Sequence, residues 1–209
     1  MSIKRFEIGP LSTNCYLFTD ENTNDSVVVD PAFCSEKLIS EIEKTNLKYI
    51  LLTHAHADHI MAVHTIKQLT GAKIVAHLNE AERLQSATAN LHSAIGCYLE
   101  DYVPETIDIA ANDGDVLEFG EKQITVLHTP GHTDGSLCFV CNDVIFCGDT
   151  LFKGSYGRTD FPSGNLSALI DSYYKLCSLE GDFMLLPGHQ DSTTLENERQ
   201  FNPLSRYLW

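Results

Sequence analysis

Basic residues are scarce in this chain: 14 lysines and arginines stand against 29 aspartates and glutamates, a formal charge of −15. Such a surface repels phosphate backbones, and no basic stripe interrupts it, so nucleic acid is not an expected partner. Long apolar runs are also missing. No stretch approaches the roughly 18 residues that would read as membrane-spanning, so no membrane association is expected. The N-terminus carries Lys4 and Arg5 without an apolar segment behind them, unlike a secretory signal, and the expected location is the cytoplasm. Low-complexity and linker segments are absent, so 209 residues are expected to form one domain, 1–209.

Disulfide spacing is lacking too. Seven cysteines are an odd number, in keeping with a reducing compartment. Cys138 and Cys141 form a C-x-x-C inside a strand-like run. An offset of three sends them to opposite faces, so they read as small buried hydrophobes rather than a redox pair.

What is present alternates between strand and helix signals. Segments 3–8, 15–19 and 26–30 read as strands, 35–45 as an amphipathic helix and 49–52 as a buried strand. Asp58 is expected to cap a helix running to Leu69, with Gly71 stopping it. A strand at 73–77 follows, then a helix at 80–87 capped by Asn79. Segment 89–104 shows no clean period and is expected to be a long connection over the active site. Strands at 116–119, 123–128, 136–141 and 144–147 follow, the last two joined by a turn at Asn142 and Asp143. A helix at 164–179, a strand at 183–186 and a helix at 194–202 close the chain. Two strand groups with helices outside both predict an α/β fold, a four-layer αββα sandwich.

One motif stands out: Thr53-His54-Ala55-His56-Ala57-Asp58-His59. His54 and His56 alternate along an extended segment, so both imidazoles can meet one ion. Asp58 and His59 sit where the chain turns into a helix, able to aim at a second. The pattern H-x-H-x-D-H should arise by chance roughly once in a thousand chains of this composition. A hydrogen-bonded polar cluster is the competing reading, but no apolar periodicity places these residues in a core. Imidazole and carboxylate without thiolate suit Zn²⁺, Fe or Mn²⁺.

Three further ligands are nominated by position. His132 ends T-P-G-H, Asp149 lies in C-G-D-T and His189 ends L-P-G-H, each just after a strand and beside a glycine. Loops at strand ends present polar groups from a rigid sheet into a common cleft, and glycine permits the close approach. His64, His77, His92 and His128 have no partner motif and read as structural or surface residues.

These residues resemble the metallo-β-lactamase superfamily over nearly the whole chain. H-A-H-A-D-H, T-P-G-H-T-D-G-S at 129–136, G-D-T-L-F at 148–152 and P-G-H at 187–189 stand in the family's order. The continuation K-G-S-Y-G-R-T-D-F-P is similar to the small glyoxalase II-like, hydroxyacylglutathione hydrolase-like branch. The resemblance implies two divalent ions, zinc first among the candidates. His54, His56 and His132 would hold one, Asp58, His59 and His189 the other, with Asp149 bridging. Lactamases proper often lack a histidine after the aspartate; His59 favours the thioesterase-like side. The implied activity is hydrolysis of a thioester or related acyl substrate by a metal-bridging hydroxide. Asp58 is expected to orient the nucleophile and shuttle its proton. Arg158 falls where the family carries a basic residue near glutathione and is expected to clamp a substrate carboxylate. Full-length glyoxalase II enzymes carry a C-terminal helical region that grips glutathione. With Trp209 about twenty residues past His189, that region is expected to be missing, which loosens the expectation of glutathione specificity but not of hydrolysis.

A second reading is an iron-dependent persulfide dioxygenase, which G-R-T-D-F at 157–161 also resembles and which uses one iron on two histidines and an aspartate. Flavodiiron oxidoreductases fit less well because they carry glutamate where His56 stands. A non-catalytic metal protein would leave a complete constellation without chemistry to perform.

Overall fold

The computed structural model describes residues 1–94 and 101–207. Strands β1 (Ser2–Ile8), β2 (Thr13–Thr19) and β3 (Asp25–Val29) pair antiparallel in sequence order. Beside β3 lie the parallel strands β4 (Asn46–Leu51), β5 (Lys73–Ala76) and β6 (Ile109–Ala110). A second sheet begins with a meander of β7 (Val116–Phe119), β8 (Lys122–His128), β9 (Leu137–Cys141) and β10 (Val144–Gly148). After the small hairpin of β11 (Leu151–Phe152) and β12 (Ser155–Tyr156), it is completed by β13 (Met184–Pro187), parallel to β10, and β14 (Thr193–Thr194). Among the described residues each large sheet has six strands.

Period-two alternation builds three apolar layers. In β2, Cys15 and Leu17 face helices while Tyr16 and Phe18 face the other sheet. The first layer joins Leu17, Val28 and Ile50 to Leu38 and Ile42 of α1 (Glu36–Ile42) and Ile66 of α3 (Val63–Thr70), which follows the short α2 (Ala57–Ile60). The central layer sets Phe18, Val29 and Leu51 against Phe119, Phe139 and Phe146. After α4 (Ala81–Gln85), the chain's last long helices cover the second sheet: Leu169 and Tyr173 of α5 (Leu166–Cys177) and Leu195 of α6 (Leu195–Phe201) pack on Ile145, Cys147 and Leu185. Helix, sheet, sheet, helix is the expected four-layer order. Cys138 and Cys141 do lie in different layers, one against the helices and one between the sheets.

Two helix starts differ from expectation. The single helix from Asp58 to Leu69 is two pieces, α2 and α3, and the extended His56 precedes the first. Asp58 is therefore inside α2, its carboxylate turned to the centre rather than to its own backbone. Gly71 does end α3, at φ 71° with its N–H on the Lys67 carbonyl. Asn79 caps nothing: His77 Nδ1 accepts from the Asn79 N–H and opens a 3-10 turn, Leu78–Glu80, ahead of α4. An imidazole in the extended conformation has performed the capping usually left to Asn or Asp. Of the expected connection at 89–104, residues 95–100 lie outside the described residues. Its start packs by the Ala57 N–H on the Asn90 carbonyl, and Ala94 lines the cavity described below. No helix among the described residues is long and apolar enough to cross a membrane.

Candidate metal centre

Parallel pairing of β3 with β4 sets Asp30 beside the segment that leaves β4. Asp30, in the left-handed region at φ 48°, accepts from the Thr53 N–H at 2.8 Å and the Thr53 hydroxyl at 2.6 Å. That holds the start of the 53–59 motif against the sheet end. His54 and His56 then leave an extended chain with ring centroids 4.7 Å apart, as alternation requires. His132 arrives from the loop after β8, its ring 4.7 Å from both. His189 follows β13, and Asp149 follows β10.

All seven expected ligands come together. His54, His56 and His132 form one group whose donor atoms lie within 4.8 Å of one another; Asp58, His59 and His189 form another, and Asp149 joins His54 and His59 in a third. Asp149 also stands between the two outer groups, 3.6 Å from His132 Nε2 and 3.7 Å from His189 Nε2 through Oδ2, and 3.5 Å from His59 Nε2 through Oδ1. Asp58 Oδ2 is 3.2 Å from His189 Nε2 and 3.5 Å from His59 Nε2. Ligands about 2.1 Å from a tetrahedral ion are roughly 3.4 Å from each other, so these separations suit cations between the groups.

The outer nitrogens are occupied. His59 Nδ1 donates to Asp30 at 3.0 Å, His132 Nδ1 to the Arg158 carbonyl at 2.7 Å and His189 Nδ1 to the Leu11 carbonyl at 3.2 Å. His54 Nδ1 lies 3.1 Å from the Thr53 hydroxyl, itself a donor to Asp30. A proton held on Nδ1 leaves the Nε2 lone pair pointing inward. Buried His54 Nε2, His59 Nε2 and Asp149 Oδ1 have no hydrogen-bond partner. Three converging buried polar atoms without partners are costly unless something binds them, and the donor set fits a pair of divalent cations. Gly188 makes the approach possible, because a Cβ there would meet the Asp149 carboxylate and lie 2.6 Å from His59 Cε1.

Electrostatics divide the centre. Burial, followed by the neighbouring imidazoles, pushes His54 well down and His56 to about 2, leaving neutral lone-pair donors. At His59, burial again opposes charge, but Asp58, Asp149 and Asp30 outweigh it and raise the ring to about 10. Burial would raise the Asp58 carboxyl, yet His59 and His189 hold it below the usual carboxylate range. The three carboxylates thus create a buried place where positive charge is favoured.

A cavity of about 600 Å³ opens onto His56, Asp58, His132, Asp149 and His189, with apolar walls from Leu11, Phe152, Tyr156 and Phe161. Arg158 stands at its edge but is engaged: Nε and Nη2 donate to Asp160 at 2.7 and 2.6 Å, and the guanidinium lies 3.8 Å from the Phe161 ring centre. The expected free carboxylate clamp is thus a bidentate ion pair, more than half exposed.

Sequence reasoning missed Asp30, whose signal is an acid ending the apolar run V-V-V-D-P. It also missed Asn14 and Tyr16, which fasten the His189 loop: Asn14 Nδ2 donates to the carbonyls of Pro187 and Gln190, and the Tyr16 hydroxyl to Pro187. Asn14 is fully buried in β2, which an asparagine ahead of C-Y-L-F does not reveal in the sequence. The four histidines set aside as structural stay outside these groups among the described residues. His64 pairs with Glu105 at 2.8 Å, and His77 stacks on His128 with centroids 4.2 Å apart.

The sequence profile described as the metallo-beta-lactamase superfamily matches residues 8–189. A Haemophilus influenzae protein named hydroxyacylglutathione hydrolase GloC is 34% identical, over 97% of this chain and 97% of its own. The structure titled BLEG-1 B3 metallo-beta-lactamase is 31% identical, with TM-score 0.89 over 97% of this chain and 98% of that one. ETHE1 from Myxococcus xanthus is 30% identical, with TM-score 0.79 over 97% and 84%.

Proposed function

Since the chain belongs to the metallo-β-lactamase superfamily, we propose that it is a metal-dependent hydrolase of a thioester or related acyl substrate. The single observation that carries this is the set of buried, partnerless polar atoms on His54, His59 and Asp149, residues whose ligand atoms lie within 4.8 Å of one another and of which Asp149 lines the cavity. Two divalent ions, zinc first among the Zn²⁺, Fe and Mn²⁺ that this donor set suits, would be held by His54, His56 and His132 and by Asp58, His59 and His189, with Asp149 between them. Bound there, they would supply Lewis acidity at the acyl carbonyl and a water pKa lowered to about 7.

The chain's own groups do the rest. Asp58, ionised and 3.3 Å from the Thr13 hydroxyl, accepts the proton of the attacking water at the cavity floor. The water oxygen bonds to the acyl carbon, the carbon–sulfur bond breaks with its electron pair on sulfur, and the proton leaves on the thiol. Apolar walls at Leu11, Phe152 and Phe161 bind the acyl and carrier stems and exclude bulk water. GloC by its name acts on hydroxyacylglutathione, which makes a glutathione thioester the first substrate to try.

The likeness to ETHE1 supports a second reading, an iron-dependent persulfide dioxygenase. Elemental analysis of the purified protein, combined with a panel of acyl-thioesters including S-lactoylglutathione, separates the two. Two zinc per chain with thioester cleavage supports the hydrolase. One iron with oxygen uptake on glutathione persulfide, and no thioester cleaved, overturns it.

A further inference from the structure

Glu80 is a fully buried carboxylate that none of the chemistry above employs. It closes the Leu78–Glu80 turn ahead of α4, and both of its oxygens are committed. Oε2 accepts at 2.9 Å from the Ala55 N–H, the amide between His54 and His56. Oε1 accepts at 2.7 Å from the hydroxyl of Thr133, the residue after His132, and at 3.0 Å from Arg83 Nη1. One side chain therefore spans two segments that come from different sheets and carry His56 and His132. Arg83 Nη2 donates to Asp134 at 3.0 Å and also to Ser163, in the stretch whose Arg158 carbonyl accepts from His132 Nδ1. Gly135 leaves room for this: a Cβ there would lie 2.8 Å from Glu80 Cγ. By contrast, Asp58, His59 and His189 are oriented by Thr13, Asp30 and Leu11, and among the described residues none of the three hydrogen-bonds to Glu80.

We infer that Glu80 is a positioning residue, setting the separation of His56 and His132 and so the metal affinity of the His54–His56–His132 group but not of its neighbour. The inference rests on the proposed ligand set. Outer groups that orient ligands change metal affinity about 10–100-fold when removed, and that size is expected here.

The test reconstitutes the metal-free full chain with Co²⁺ and follows binding by visible absorption, with thermal unfolding as the check on folding. Wild type should take up two Co²⁺. Glu80→Gln, which keeps the shape and removes the charge, should keep one at wild-type affinity and bind the other at least about tenfold more weakly, with altered d–d bands. Thr133→Val, which removes one leg of the clamp, should move the same site in the same direction, and it decides the matter if Glu80→Gln does not fold. Glu198→Gln serves as a control, because that buried carboxylate ties Gly154, Thr193 and Asn202 in the outer helical layer; it should lower the unfolding temperature and leave both Co²⁺ sites intact. Two unchanged affinities in folded Glu80→Gln, or equal weakening of both, would overturn the inference. A wild type that takes up no Co²⁺ overturns the ligand set itself, and the inference with it.

Discussion

His56 Nδ1 and His132 Nε2 lie 3.0 Å apart across 76 positions of chain. One leaves the end of a parallel strand in the first sheet and the other the end of an antiparallel strand in the second. Nothing local brings them together; the packing of Phe18, Val29 and Leu51 on Phe119, Phe139 and Phe146 does. Site and core are in this sense one structure, and the first predictions follow from the atoms that close the gap.

Asp149 is the carboxylate that reaches both outer groups. Asp149→Asn keeps the shape, removes the charge and replaces one of the two oxygens with an NH2 that cannot accept. Its kcat/KM on a thioester should fall by more than about a hundredfold, beyond the usual effect of an outer-shell change. Metal analysis should show both ions reduced, and loss of one alone would contradict the bridging position.

Gly188→Ala tests the close approach. The added methyl would press on His59 and the Asp149 carboxylate, both central to the site, so activity should drop, and the overpacking should lower the unfolding temperature of the metal-free protein as well. A fully active Gly188→Ala enzyme would mean that the two side chains have more freedom than their contacts imply.

Asp30→Asn separates charge from backbone strain, because asparagine tolerates the left-handed conformation that Asp30 holds. The amide oxygen can still accept, but the NH2 that replaces the other oxygen accepts nothing, and His59 Nδ1 is oriented less strongly. Metal affinity should fall about 10–100-fold, read by competition with a chromogenic chelator.

Asp160 masks Arg158, the one cation that lines the cavity among the described residues. Its hydrogen bonds with Arg158 hold the carboxyl at about 2, below its usual value, so the pair stays ionised throughout the working pH range. Asp160→Asn frees the guanidinium. KM for a thioester with an anionic carrier should drop a few-fold at low salt, with no change for a neutral one, because the gain is screened charge attraction.

Much of this was legible in the sequence, and unevenly so. The four candidate ligands His54, His56, Asp58 and His59 lie within six positions, so alternation aims the first two and the turn into α2 aims the others. His132, Asp149 and His189 could be found because each follows a strand and stands beside a glycine. Asp30 and Glu80 were hidden because they act on backbone amides and hydroxyls brought in by tertiary packing, and a lone acid after an apolar run or in a helix start has many ordinary uses. The two-residue strands β6, β11, β12 and β14 carry too few residues for any period. The break between α2 and α3 falls at Met61 and Ala62, where the Ala62 N–H turns to the Pro31 carbonyl at 3.0 Å, a tertiary contact that no helix propensity announces. Arg158 is legible through the resemblance, whereas its pairing with Asp160, two residues on, is a contact of the folded chain.

Removal of the ions should also be visible in stability. A cation held at a thousand times its Kd contributes about 4 kcal/mol, which for a chain of this size is on the order of ten degrees in Tm. Chelation should lower the Tm by that order and zinc should restore it; an unchanged Tm would count against tightly held ions.

The most direct measurement is anomalous scattering from a crystal of the zinc-loaded protein, collected above and below the zinc edge. Two peaks are predicted, one enclosed by His54, His56 and His132 and the other by Asp58, His59 and His189, with the Asp149 carboxylate between them. A single peak, or peaks away from these side chains, would contradict the account.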